Sequence, residues 1–313
     1  MPITTAAPEE RSAAFELALR HLGEDIRPAR VLYALTLLAA GEINPEGIFV
    51  ARGAGGLRGV QICVPLPGAT GLFWLPKTYP ADAALEDQLV HFALDWLGER
   101  GTKLAQAFLS APEGPCGGSL LRCGFRQVTS LLFLEHVLDR IPSPPAPRLQ
   151  FSTYVEGNRL TFHAILMRTY EGTRDCPELN GVRTIDEIVA GHVGQGSFRP
   201  ERWWLALEEN RPVGVAMVSE VPDQDAWELS YLGVVPEARG RGLGRELAIH
   251  VLHSAQTSQA SKLILAVDNR NFPALQLYRE LGFLSVGFRE VYLKVLDRSL
   301  AAASTTTIRN DLS

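Results

Sequence analysis

A glycine- and arginine-rich turn is the stretch whose residue types and spacing most clearly suggest chemistry. It lies in LGVVPEARGRGLGRELAIHVLHSA, which runs from Leu232 to Ala255 and holds Gly240, Gly242 and Gly244. Glycine loses much conformational entropy on folding, so such a cluster indicates a strained turn or a close approach of a ligand. The turn joins an apolar strand pattern to a helix, whose first N–H groups are free and lie at the positive end of the helix dipole. The sequence therefore predicts a cradle for an anion here, with a plain loop as the alternative.

Two common phosphate-binding motifs do not fit this turn. A Walker loop ends in Gly-Lys-Ser/Thr, and this turn does not. A dinucleotide fingerprint requires G-x-G-x-x-G, whereas the spacing here is G-x-G-x-G and position 245 is Arg. What these exclusions leave is a pyrophosphate cradle with basic flanks and without a metal motif.

The turn and the segment after it together resemble one enzyme superfamily. RGRGLG matches the R/Q-x-x-G-x-G/A motif of the GCN5-related N-acetyltransferases (the GNAT superfamily), and DNRNFPALQLYRELGF resembles the next motif of that superfamily. The second motif has an Asn near the start of a helix, a Tyr late in it and Gly-Phe at its end. Both motifs occur in the expected order with a strand between them, and the resemblance covers about residues 150–296.

The resemblance implies that acetyl-coenzyme A donates an acetyl group to an amine. Its pyrophosphate would lie on backbone N–H groups of the glycine turn, and its pantetheine arm beside the strand LSYLGVV. Tyr278 would be the acid that protonates the departing thiolate, although it could also simply pack the helix. The cofactor-binding residues implied are Leu232, Val234, Val235, Arg239, Gly240, Arg241, Gly242, Leu243, Gly244, Arg245 and Asn271.

The acceptor amine must lose a proton before it can attack. A lysine-like amine with a pKa of about 10.4 requires about 4–5 kcal/mol for this at neutral pH, and an α-amine near pKa 8 about 1 kcal/mol. Glu228 is the candidate base, because a carboxylate on a central strand is unusual and its position resembles the basic Glu of some histone-type members. Strand alternation predicts that Glu228, Ser230, Leu232 and Val234 share a face. The alternative is a solvated residue at the start of the strand.

Acceptor recognition is predicted for the loop YEGTRDCPELNG, Tyr170 to Gly181. Its acidic residues Glu171, Asp175 and Glu178 could attract a cationic amine, or the loop could be merely polar and solvated. Attack is expected to be direct, since no Cys or Ser is placed to carry the acyl group. No metal is predicted, since the histidine pair on the helix after the turn lacks a metal-binding pattern.

Two tandem halves are predicted on either side of the Pro-rich segment RIPSPPAPRLQ. We expect two tandem acetyltransferase-type domains of mixed α/β class, each with a mostly antiparallel sheet flanked by helices. The N-terminal half repeats the element order without the glycines and has Leu120 where the other half has Tyr278, so it is predicted to be degenerate and to complete the acceptor pocket or stabilise the pair. The ranges are 1–140 for this domain, 141–149 for the linker, 150–298 for the catalytic domain and 299–313 for a flexible tail.

Bulk properties restrict the class of protein. The 313 residues are 46% hydrophobic and carry a formal charge of -5, which allows a proper core and argues against nucleic-acid binding. The apolar runs are too short for a membrane span, and four cysteines without C-x-x-C pairing favour reduced thiols and a cytoplasmic location. The predicted partner is a small-molecule or protein amine. The alternatives are a non-catalytic acyl-coenzyme A sensor, and a transferase for a thiol-sugar amine, because the layout also resembles that of mycothiol synthases.

Overall fold

The computed structural model describes residues 1–143 and 147–296 and divides into two compact units. The first consists of Met1–Val128 and the chain from Arg289 onward, and the second of Thr129–Phe288. Three of the nine residues of the predicted linker, and the whole predicted tail at 299–313, lie outside the described residues.

The first unit is a mixed sheet with helices. Its strands follow the order β1-β2-β3-β4-β6-β13, where β4 and β6 are parallel, the other neighbours are antiparallel, and β5 pairs with β3. The elements are β1 (Ile3–Thr5), α1 (Arg11–Ala18), α2 (Arg27–Ala39), β2 (Ile48–Gly53), β3 (Gly56–Leu66), β4 (Thr70–Phe73), β5 (Lys77–Thr78), α3 (Ala83–Glu99), β6 (Leu104–Leu109), α4 (Gly118–Arg122), the start of β7 (Arg126–His136) and the end of β13 (Leu284–Val295).

The second unit has the same architecture, with strand order β8-β9-β10-β11-β12-β7 and parallel pairing only between β11 and β12. Adjacent Trp203 and Trp204 are both buried on opposite faces, one stacked with Phe162 of α5 and the other against His250 of α7. The predicted mixed α/β fold, mostly antiparallel and flanked by helices, is thus confirmed. The elements are β8 (Leu149–Thr153), α5 (Arg159–Thr169), α6 (Ile185–Val193), β9 (Ser197–Glu208), β10 (Arg211–Val221), β11 (Ala226–Val234), α7 (Leu243–Thr257), β12 (Lys262–Asp268) and α8 (Phe272–Glu280).

Each unit receives its last strand from the other half of the sequence. Residues 131–136 of β7 pair with β12 in the second unit, and residues 290–295 of β13 pair with β6 in the first. The compact units therefore differ from the ranges 1–140 and 150–298 inferred from the Pro-rich segment. Both exchanged strands follow a Gly-Phe landmark, at 124–125 and 282–283, so the sequence pattern does not distinguish the sheet that each one joins.

A buried carboxylate fastens the start of α7 to the start of β8. One oxygen of Glu246 accepts hydrogen bonds from the N–H groups of Arg148 at 2.8 Å and Leu149 at 2.7 Å. The guanidinium of Arg148 lies 3.6 Å from the second oxygen. Because α7 carries the glycine turn at its N-terminus, Glu246 also fixes the position of that turn.

Glu246→Ala should lower the free energy of unfolding by about 2–4 kcal/mol, because two N–H groups lose their acceptor in a buried place. Glu237→Ala is the matched control, since its ion pair with Arg168 is exposed and worth less than about 1 kcal/mol. Urea unfolding followed by tryptophan fluorescence measures both. Equal stability of the two variants would contradict this role for Glu246.

Candidate functional site

The glycine turn has the backbone conformation that glycine permits. Gly240 and Gly242 have φ values of 72° and 82°, in the left-handed region that a Cβ disfavours. Gly242 is the residue that precedes α7, and its carbonyl accepts from the N–H groups of Arg245 and Glu246 at 3.2 Å. The N–H groups of Leu243 and Gly244 have no hydrogen-bond partner within 1–143 and 147–296. The start of α7 therefore offers unused donors.

The space in front of the turn is open. A Cβ built on Gly240 would meet no atom within 4 Å, and a Cβ on Gly244 would come no closer than 3.7 Å to the side chain of Val234. A bound pyrophosphate needs free N–H donors and unobstructed approach, and this turn has both properties. The residues present thus fit the group that the sequence predicts.

The guanidinium of Arg239 turns back toward the protein. It donates to the carbonyl oxygens of Val234 and Thr169 at 3.0 Å each, and to that of Gly172 at 3.4 Å. These carbonyls lie at the end of β11, the end of α5 and the loop that follows α5. Arg239 thereby connects the glycine turn to the predicted acceptor loop.

The other two arginines of the turn form ion pairs. Arg241 lies 2.8 Å from Glu208 of β9, and Arg245 lies 3.3 Å from Glu280 of α8. Both pairs are partly exposed and individually weak. With all three guanidinium groups engaged in the structure, the backbone N–H groups are the donors left to an anion.

Strands β11 and β12 separate beside the turn. They pair only from Ala226 opposite Lys262 to Glu228 opposite Ile264, and residues 229–234 have no partner on β12 in the described chain. The strand edge from Leu229 to Val234 therefore faces a gap. An extended ligand can pair with such an edge as an added strand does.

A β-bulge changes the faces of β11. Tyr231 pairs with Met217 and Leu229 with Val218, so that Ser230 is an extra residue, and its hydroxyl donates to the carbonyl of Met217 at 3.1 Å. The prediction that Glu228, Ser230, Leu232 and Val234 share one face is therefore wrong. An extra residue shifts the alternation for all that follow it.

Cross-strand neighbours identify the two faces. Trp203, Met217 and Tyr231 lie side by side, and Tyr231 bonds through its hydroxyl to Thr169 of α5 at 2.8 Å. This face is covered by α5 and α6. Leu232 pairs instead with Ala216, which is adjacent to Trp204 on the α7 face.

Glu228 lies on the α5 face with Tyr231. Its neighbour Trp227 is on the opposite face, where the guanidinium of Arg202 lies 4.1 Å from the indole ring. Glu228 is half-buried, and burial raises the pKa of its carboxyl group. In the described part of the chain it has no hydrogen-bond or ion-pair partner, so it differs from a solvated residue at a strand start.

Tyr278 is 7% exposed on α8, with its ring 5.4 Å from that of Phe283. Burial, together with the charge of Asp175, raises the pKa of its hydroxyl. The hydroxyl makes no hydrogen bond within the described residues. Asn271, predicted to support the cofactor, begins the same helix and accepts a hydrogen bond from the N–H of Ala274 at 3.4 Å.

The acidic residues of the predicted acceptor loop separate in the structure. Glu171 is exposed, and Glu178 forms two hydrogen bonds with Arg270 at 2.7 and 2.9 Å. Asp175 lies against the end of β12, where it accepts from the N–H of Asp268 at 3.1 Å. Its pKa is raised by burial and by the charge of Asp268.

Asp268 and Arg270 are the functional residues that sequence reasoning missed. Asp268 accepts from Thr129 at 2.6 Å, from the backbone N–H of Cys176 at 2.9 Å and from Arg270. Burial would raise the pKa of Asp268, but these hydrogen bonds outweigh it and hold the pKa at about 2. Both residues stand in the quoted motif DNRN, which was the available signal.

The oxygen and sulfur atoms of Asp175, Cys176 and Asp268 lie within 4.8 Å of one another, close enough to be considered as metal ligands. Both carboxylates already accept hydrogen bonds from the chain. His250 stacks on Phe151 at 3.7 Å, so it is part of the core. In the described residues, none of the helices is long and apolar enough to cross a membrane.

The first unit treats the corresponding helix differently. Helix α3 follows Asp82, whose carboxylate accepts from the N–H of Leu85 at 3.1 Å, and Glu86 lies in its first turn. Leu120, which replaces a tyrosine in the predicted alignment, is fully buried. An acidic side chain thus occupies the helix end that is open in α7.

Residues 166–283 match the model of the Acetyltransferase (GNAT) family. Among curated proteins, a mycothiol acetyltransferase from Mycobacterium ulcerans (strain Agy99) is 27% identical over 284 residues, which cover 76% of this chain and 82% of the relative. A mycothiol acetyltransferase from Thermomonospora curvata is 33% identical over 133 residues, covering 38% of this chain and 44% of the relative.

Solved structures share the fold over most of the chain. A GCN5-related N-acetyltransferase from Sphaerobacter thermophilus has a TM-score of 0.63 at 17% identity and covers 94% of this chain and 95% of its own. A tandem GNAT protein from the clavulanic acid biosynthesis pathway has a TM-score of 0.53 at 15% identity, with coverage of 94% and 98%. The predicted tandem layout is thus confirmed.

Proposed function

Because residues 166–283 belong to the Acetyltransferase (GNAT) family within a tandem GNAT fold, we propose that the chain acetylates a primary amine with acetyl-coenzyme A. The acceptor is a small molecule or a protein. The observation that carries this proposal is the pair of unused N–H donors at the start of α7, beside the gap between β11 and β12.

In this proposal the second unit holds the cofactor mainly through backbone groups. The N–H groups of residues 239–244 bind the pyrophosphate, and the β11 edge at Leu232 and Val234 binds the pantetheine arm. Val235 and Leu243 are buried and shape the base of the turn, and Asn271 supports the arm from α8. Acetyl-coenzyme A supplies an activated thioester, whose carbonyl accepts an amine.

The reacting groups divide the proton transfers between them. A C–N bond forms as the amine attacks, and the C–S bond breaks. Glu228 takes a proton from the amine, directly or through a water, and Tyr278 gives a proton to the thiolate. Transfer is direct, because Cys176 is the only cysteine of residues 150–313, and burial raises its pKa well above its usual range, leaving it unreactive.

Glu228→Gln should lower kcat/KM more for amines with a pKa near 10.4 than for amines near 8, because the first class depends more on a base. The carboxylate must be ionised to act. Since burial raises its pKa, activity falls as pH falls through a value above the ordinary one, and the variant should lack this acid limb. A pH profile of kcat/KM tests this, with exposed Glu201→Gln as the control. An unchanged acid limb would exclude Glu228 as the base.

We further propose that the first unit does not bind acetyl-coenzyme A. Support comes from Asp82 at the start of α3, since its carboxylate would repel a phosphate, and from Leu120, which cannot donate a proton. The catalytic role would then fall to the second unit alone.

A thiol-release assay with acetyl-coenzyme A and a panel of primary amines tests the proposed function. Free coenzyme A formed only in the presence of an amine, with an acetylated product by mass spectrometry, is the expected result. Saturable binding without turnover of any amine would instead favour an acyl-coenzyme A sensor. The mycothiol acetyltransferase relatives are the reason to include a thiol-sugar amine in the panel.

A further inference from the structure

One acidic residue of the acceptor loop remains available to a ligand. One oxygen of Asp175 accepts from the N–H of Asp268 at 3.1 Å, and the other has no hydrogen-bond partner in residues 1–143 and 147–296. Glu178 is neutralised by Arg270, whose guanidinium also bonds Asp268. Asp175 is thus a half-buried carboxylate with a free oxygen.

The free carboxylate lies among tyrosine hydroxyls. The charge of Asp175 raises the pKa of Tyr170, Tyr231 and Tyr278, in each case as a contribution secondary to burial. The Tyr170 and Tyr231 rings are 5.1 Å apart, so these side chains form one cluster. Asp175 therefore lies close to the residue that we propose as the acid.

Two of the hydroxyls in this region have different commitments. Thr169 donates to the carbonyl of Leu166 at 2.6 Å, so the contact of 2.8 Å between Thr169 and Tyr231 is one in which Tyr231 donates. The hydroxyl of Tyr278 has no such partner among the described residues, although its side chain is more than nine-tenths buried. A buried polar group without a partner is costly unless a ligand completes its hydrogen bonding.

The position of Asp175 is fixed by the chain around it. The N–H of Cys176 donates to Asp268 at 2.9 Å, Thr129 donates to the same carboxylate at 2.6 Å, and the N–H of Asp268 donates back to Asp175. Such support holds a charged group in place before a ligand arrives.

We propose that Asp175 binds the ammonium group of the acceptor beside Tyr278, and so restricts the enzyme to acceptors that arrive as cations. A half-buried carboxylate attracts a cation more strongly than an exposed one, because water screens the pair less. Asp175 is then a specificity-determining residue, while Glu228 removes the proton. This assignment rests on the proposed acetyl transfer.

The test compares cationic and neutral nucleophiles. Asp175→Asn keeps an oxygen for the N–H of Asp268 and removes the charge. With protonated primary alkylamines as probes, KM should rise about tenfold to a hundredfold, the value of one charge-assisted hydrogen bond. With hydroxylamine, which is uncharged at neutral pH, background-corrected turnover should change less than about twofold, because no ammonium charge has to be bound.

The exposed residue of the same loop provides the control, since Glu171→Gln should leave both probes unaffected. Acetyl-coenzyme A binding by each variant reports on the integrity of the fold. If Asp175→Asn loses it, Asp175→Ser takes its place, because the hydroxyl can still accept from Asp268. Equal effects on the two probes, or none, would overturn the role of Asp175 alone. A wild type that acetylates neither probe nor any other amine would overturn the proposed function with it.

Discussion

Gly244→Glu should weaken acetyl-coenzyme A binding by about a hundredfold or more and leave the fold intact. The new carboxylate would stand in the first turn of α7 and repel the pyrophosphate, and a hundredfold corresponds to about 3 kcal/mol. Gly244 is the best position for this test because its φ is not positive and an added Cβ meets only Val234, at 3.7 Å. An acidic residue in the first turn also suits the helix dipole.

Two further variants separate charge from strain. Gly242→Glu places the same charge in the turn but adds strain, since Gly242 has a φ of 82°. Gly157→Glu introduces a carboxylate where an added Cβ meets nothing within 4 Å, away from the turn. Calorimetric titration with acetyl-coenzyme A should show weak binding for the first two variants and normal binding for the third. Normal binding by Gly244→Glu would place the pyrophosphate elsewhere.

Tyr278→Phe should lower kcat by about a hundredfold or more while acetyl-coenzyme A binding and stability stay unchanged. A positioned general acid contributes about 10²–10⁴ in rate. Stability should hold because the hydroxyl makes no hydrogen bond in the described residues and the ring keeps its contact with Phe283. Since burial raises the pKa of Tyr278, its proton is retained to a pH above the ordinary tyrosine value, and any alkaline limb that it causes should vanish in the variant.

Tyr292→Phe is the matched control, because Tyr292 is also buried but lies in the first unit, near Glu290 and Gln127. Its loss should leave kcat within about twofold, since it touches none of the proposed catalytic groups. A Tyr278→Phe enzyme with wild-type kcat would show that the thiolate is protonated by another group or by water.

The features that local chemistry dictates were predictable from the sequence. Alternating glycines between a strand and a helix require positive φ, and Gly240 and Gly242 have it. Apolar periodicity similarly predicted the mixed sheet with helices on its faces. Such features depend on a few neighbouring residues, which is why a single sequence suffices for them.

Features that depend on distant partners were not predictable. The bulge at Ser230 is recognisable only once β11 is aligned with β10, and it moves Leu232 and Val234 to the α7 face. The strand exchange between the halves depends on which sheet edge is available to β7 and β13.

Side-chain partners were the least predictable part of the site. Arginine beside a glycine turn suggests a phosphate ligand, yet Arg239 binds the carbonyls of Thr169, Gly172 and Val234. The acidic loop offered equivalent candidates until Arg270 neutralised Glu178 and left Asp175 with a free oxygen. Three-dimensional contacts, rather than residue types, separate these roles.

Calorimetric titration of the wild-type chain with acetyl-coenzyme A, and in parallel with NADH, tests the central claim most directly. The glycine turn of the second unit predicts saturable binding of one acetyl-coenzyme A per chain, since Asp82 closes the corresponding helix end of the first unit. NADH should not bind, because the glycine spacing is not that of a dinucleotide site. Absence of acetyl-coenzyme A binding, or tight NADH binding in its place, would contradict the account.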